Sequence, residues 1–103
     1  ITVPIEPNRF QNVTGYLVVR QGKHVVEFMS KVCDLRPDID YKALLELNQD
    51  LFYSKVIIFE GMLRVAAAAL FEHMTEEVIR DMILEVAESA DQLEFKLVGA
   101  DIY

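Results

Sequence analysis

The chain has 103 residues, 52% of them hydrophobic, with four glycines and three prolines. That composition excludes disordered, collagen-like and low-complexity chains and fits one globular domain over 1–103. There are 17 acids and 10 bases, for a net charge of −7, and residues 70–103 carry the excess, with nine acids against Arg80 and Lys96. Coulomb repulsion at such a surface opposes nucleic acid and anionic membranes as partners.

Residues 1–12 (ITVPIEPNRFQN) are extended in pattern. Pro4 and Pro7 each remove a backbone donor, so the segment is expected as an edge strand or an extended arm. The chain begins with Ile1 and not Met, so the native chain is expected to begin earlier, which leaves room for an N-terminal element. No secretory leader is read at its start. The runs TGYLVVR (14–20) and HVVEFMSKVC (24–33) flank Gln21-Gly22-Lys23, where the glycine supplies the positive φ of a tight hairpin turn. Val26, Phe28 and Val32 share one face of the second strand, and Glu27, Met29 and Lys31 the other. The expected sheet therefore has one buried and one largely wet face. Cys33 is the single cysteine. It has no intrachain partner, reads as a structural thiol, and points to the cytoplasm.

Pro37 ends this strand, and Asp38 or Asp40 can cap the helix YKALLELNQDLF (41–52) by accepting from its free amides. Tyr41, Leu44, Leu45, Leu51 and Phe52 recur at helical spacing, with Asn48 inside the stripe. An amide in that position is expected to bond the backbone of a neighbouring loop or strand, with a ligand contact as the lesser reading.

KVIIFEGMLRVAAAALF (55–71) reads as a second hairpin about Glu60-Gly61. Val56 to Phe59 are apolar on both faces, which predicts a central strand or one covered on both sides. Ala66 to Ala69 favour helix by propensity. The preceding turn and the helix start at Thr75 place them in a strand instead, whose small side chains leave room for the long helix or another subunit. That helix is capped by Thr75, with Glu76 and Glu77 at its positive end. Val78, Ile79, Met82, Ile83, Val86, Ala87, Ala90, Leu93 and Leu97 form its core stripe. Leu84 and Phe95 fall on the opposite side, among Glu77, Asp81, Glu88 and Asp91. Gly99 is the expected helix stop, with a short tail over 100–103.

No chemistry assembles from these parts. His24 and His73 belong to no metal-ligand spacing, the glycines form no phosphate loop, and the carboxylates of the acidic helix lack the burial that tunes a general acid. No catalytic, metal or cofactor residue is assigned, and the expectation is a protein that is not an enzyme. No apolar run approaches the ~18–20 residues of a membrane span. The fold expected is α+β: an antiparallel sheet of about five strands against two helices, in the order β-β-β-α-β-β-α.

The segments LLELNQD (44–50), KVIIFEGMLRVAAAALF (55–71) and TEEVIRDMILEVAESADQL (75–93), taken in this order, resemble the YbjN-like and type III secretion chaperone-like family. The resemblance implies a missing N-terminal helix and a small, acidic, cytosolic, non-enzymatic homodimer that holds an extended client segment or acts as a regulator. The candidate protein interface comprises Ala66 and Ala68 on the strand and Leu84 and Phe95 on the helix. Two other readings stay open. One is a small-molecule or enzymatic pocket between sheet and helices near Asn48 and Tyr53. The other is a structural subunit whose partner covers Leu84 and Phe95.

Overall fold

The structure, a computed structural model, describes residues 1–6 and 9–98. Strands β1 (Thr2–Glu6) and β2 (Arg9–Asn12) form a small antiparallel sheet of their own. Strands β3 (Thr14–Arg20), β4 (Lys23–Asp34), β5 (Ser54–Phe59) and β6 (Met62–Leu70) form the main sheet in the order β3-β4-β6-β5. Helix α1 (Tyr41–Leu47) connects β4 to β5, and α2 (Glu76–Val98) follows β6. The architecture is α+β as expected. The main sheet has four strands and not about five, because residues 1–12 turn back on themselves.

The reason lies at Val13. Its N–H and C=O pair with Ile1 at 2.7 and 2.8 Å, and the ladder of β3 on β4 begins one residue later, at Thr14 opposite Met29. Side chains replace the ladder beyond that point. Gln11 Nε2 donates to Ser30 Oγ at 2.8 Å and to the Lys31 carbonyl at 3.2 Å, and Ser30 Oγ donates to the Asn12 carbonyl at 2.6 Å. Ser30, which interrupts the apolar face of β4 in sequence, is thus the fastening point of the small sheet.

Helix α2 lies over β4 and β6. Met82, Val86, Ala87 and Ala90 are fully buried, against Phe28, Val32, Leu63, Val65 and Ala67. The small side chains of Ala67, Ala87 and Ala90 let helix and sheet approach closely. The alanine run is a strand, as tertiary pairing with β4 on one side and β5 on the other overrides local propensity. A bulge between Lys31 and Cys33 puts both Val32 and Cys33 on the core side. Burial pushes the Cys33 thiol above its ordinary pKa, with Arg36 opposing. Thr75 Oγ1 caps α2 by accepting from Val78 N, and Asp40 caps α1 by accepting from Ala43 N, both at 3.1 Å. The helix stop expected at Gly99 and the tail after it lie outside the described residues. No helix among the described residues is long and apolar enough to cross a membrane.

Three expectations need correction. Strand β5 is an edge strand and not a central one, and Ile58 and Phe59 are exposed. Helix α1 stops at Leu47 and tightens into a 3₁₀ turn over Asn48–Asp50. Three residues per turn break the 3.6 period, so Phe52 leaves the expected stripe and is 81% exposed. Asp91, placed with the outer acids of α2, is buried. The small sheet covers that side of the helix, and Arg9 Nη2 reaches Asp91 Oδ2 at 2.8 Å while its guanidinium lies 5.7 Å from the Phe95 ring centre. Replacing Arg9 with Ala should remove about 1.5–3 kcal/mol, the range for a hydrogen bond to a charged group, and speed amide exchange in β1 and β2. Urea denaturation with hydrogen exchange checks this, and an unchanged midpoint would show the pair to be idle.

Candidate functional site

The backbone direction of every residue in the main sheet follows from its two hairpin turns. Gln21 and Gly22 have φ of 53° and 75°, and Glu60 and Gly61 have 51° and 75°. These left-handed pairs are two-residue hairpin loops of the primed class. Such a loop makes its flanking residues, Arg20 with Lys23 and Phe59 with Met62, a hydrogen-bonded pair. Alternate residues then point their N–H and C=O away from the partner strand. In β5 the outward residues are Ser54, Val56 and Ile58. In β3 they are Gly15, Leu17 and Val19, continuing the phase of Val13, whose outward groups are taken by Ile1.

The two edges are treated differently. On β5, Asn48 Oδ1 accepts from Val56 N at 2.6 Å and Asn48 Nδ2 donates to the Val56 carbonyl at 3.4 Å. The amide sits in the 3₁₀ turn that follows α1, where it does what a neighbouring strand would do. One turn away, Glu85 of α2 accepts from Phe52 N at 2.9 Å, Tyr53 N at 2.8 Å, Ser54 N at 2.7 Å and Ser54 Oγ at 2.6 Å. Burial desolvates Glu85 and pushes its carboxyl upward. The Ser54 hydroxyl and the three amides outweigh that effect, so its pKa lies below the ordinary glutamate range.

On β3, Gly15, Leu17 and Val19 have no hydrogen-bond partner for their outward groups among the described residues. Leu17 is 65% exposed and Val19 64%, because α2 does not extend over β3. Between Thr14 and Val19 there is no proline, lysine or acid, the usual guards of an edge. The strand is flat in register against β4, with no bulge from Thr14 to Arg20.

The face of the sheet away from α2 is not the largely wet one expected, since Val25, Glu27, Met29, Arg64 and Ala66 on it are buried. Arg20 pairs with Glu27 at 3.1 Å across it, and the Arg64 guanidinium lies 5.5 Å from the Phe59 ring centre. A hollow of about 620 Å³ borders β3, lined by Thr14, Tyr16, Met29, Lys31 and Arg64 on this face and bounded by Phe10, Gln11 and Asn12 of β2 and by Glu94 of α2. Ala66 and Ala68 lie on the same face, opposite Met29 and Glu27 in register, with Ala66 buried and Ala68 exposed. Leu84 and Phe95 are exposed on the outer side of α2, the other layer of the molecule. The four candidate interface residues therefore do not form one surface, and Arg9 already lies against Phe95. Leu17 and Val19 were not singled out in the sequence. Their signal, an uncharged β-rich run, is shared with buried strands and becomes informative only once strand order is known.

His24 and His73 are both exposed. Among the described residues, no group of three or more His, Cys, Asp and Glu side chains is placed to hold a metal ion. No protein-family model matches the chain, and no curated protein matches its sequence.

Two measurements test the β5 guard. Asn48→Ala should lower stability by about 1–3 kcal/mol, because Val56 loses both outward partners. A denaturation midpoint equal to wild type would mean that water serves as well. For Glu85, a lowered folded-state pKa makes its contribution full above the unfolded value of about 4.3 and lost as pH falls through the lowered one. The stability gap between wild type and Glu85→Gln should thus be constant at neutral pH and close in acid. A gap independent of pH would contradict the assignment.

Proposed function

We propose that this chain is a non-catalytic protein-binding domain, chaperone-like or regulatory, which makes its protein contact by accepting an extended strand along β3. The observation that carries this reading is the contrast between the edges. Asn48, just after α1, and Glu85 of α2 take the outward groups of Val56 and the Ser54 N–H, leaving only the Ile58 end of β5 without such a partner among the described residues, whereas none of the outward groups of Gly15, Leu17 and Val19 has a partner among the described residues. Main-chain hydrogen bonds to an added strand supply affinity, and alternate side chains supply specificity. Leu17 and Val19 on one face, and Tyr16 beside the open hollow on the other, are the side chains such a strand would meet.

The resemblance to the YbjN-like and type III secretion chaperone-like family supports the same reading, since those proteins are dimers that hold extended segments. The alternative of a small-molecule pocket near Asn48 and Tyr53 loses the polar group it relied on, because the Asn48 amide is committed to Val56. The structural-subunit alternative retains Leu84, while Phe95 is engaged by Arg9.

Leu17→Pro provides the test. The N–H of Leu17 points away from β4, so proline there removes an outward donor without removing a ladder bond. A tagged wild-type bait, expressed in cells that also make untagged copies, should retain a polypeptide, either another protein or the untagged chain. The Leu17→Pro bait should lose it while keeping a cooperative thermal melt. Equal recovery with both baits would refute strand addition at β3.

A further inference from the structure

We infer that the strand accepted by β3 is the β3 of a second copy, antiparallel about a two-fold axis through Leu17. This rests on the strand-addition reading and names its occupant. The open stretch is bounded on one side by Val13, whose outward groups pair with Ile1, and on the other by the Gln21-Gly22 turn. Leu17 is its midpoint. With the axis there, Leu17 faces Leu17 of the partner subunit, and Gly15 and Val19 face one another reciprocally. Every outward N–H and C=O in the stretch then finds a counterpart in the correct phase.

The side chains fit the same register. On the α2 side, a Cβ at Gly15 would come within 3.1 Å of Phe28 Cε1, so this position has no side chain, and the space in front of it takes the valine methyls of the opposing Val19. On the other side, Tyr16 stands opposite Val18, an aromatic–β-branched pair of the kind that stabilises antiparallel strands. Thr14 stands opposite Arg20, so no like charges are brought face to face across the axis.

Charge favours this face over the rest of the molecule for self-association. The acidic excess lies in residues 70–103, and α2 lies over β4 and β6, away from the β3 edge. At ~4.8 Å per strand the two helices would be about 20 Å apart, roughly two Debye lengths at physiological salt. Their mutual repulsion is then largely screened. Joining the sheets also sets the two open hollows on one continuous face, free for a further segment.

The test uses charge at the axis. Wild type should show twice the 11.8 kDa chain mass in size-exclusion chromatography with light scattering at micromolar concentration. Leu17→Lys and Leu17→Glu each place like charges in contact across the axis, and each should run at the single-chain mass with unchanged circular dichroism. An equimolar mixture should restore the two-chain species, since Lys then faces Glu. If wild type is a single chain while capture by the wild-type bait remains sensitive to Leu17→Pro, strand addition stands and the second copy is excluded. If either charged variant remains a dimer on its own, or the mixture fails to restore one, pairing about Leu17 is overturned.

Discussion

A strand in a sheet satisfies its backbone on one side and must settle the other, and the rest of this structure follows from how that requirement is met. The two primed turns decide which residues of β3 and β5 point outward. A buried or half-buried N–H left without a partner costs about as much as a lost hydrogen bond. The chain answers with side chains wherever its own layers crowd an edge. Asn48 serves β5 from the turn after α1, Glu85 serves the start of β5 from α2, and Ser30 with Gln11 serves β4 where β3 has ended. Asn48 and Ser30 each interrupt an otherwise apolar pattern.

These same groups tie the layers together. Hydrophobic contact between α2 and the sheet is not directional, and a helix could slide along β4 and β6 with modest change in buried area. Glu85 removes that freedom, since its carboxylate must reach three successive amides and one hydroxyl where β5 begins. Arg36 acts similarly at the other end of the helix, donating to the Leu97 carbonyl at 2.7 Å while Tyr41 bonds both backbone groups of Arg36. Packing supplies most of the cohesion, and polar contacts set the register.

Local signals made much of this legible. Gly22 and Gly61 marked both hairpins, Thr75 marked one helix start and Asp38 or Asp40 the other, and the Met82–Leu93 stripe marked the core face of α2. Asn48 was readable as a backbone partner because an amide in an apolar stripe has few other uses. What was not legible depended on relations between distant segments. Val56 to Phe59 look like a central strand, because apolar side chains on both faces do not reveal which strand lies beside them. Asp91 looked exposed because the wheel of α2 contains no information about the small sheet that covers it. The free edge at Leu17 was hidden for the same reason: openness is a property of strand order.

The contact between Arg9 and Asp91 joins residues 82 positions apart, which has a consequence for the order of assembly. During synthesis, β1 through β6 emerge before the last turns of α2 exist. Until then the small sheet lacks its electrostatic anchor, and the pairing of Ile1 with Val13 has little to hold it. The nascent chain therefore carries a longer unguarded edge than the finished one, with Val13 added to its outward set. Completion of α2 anchors the small sheet and so shortens the run of outward backbone groups along β3.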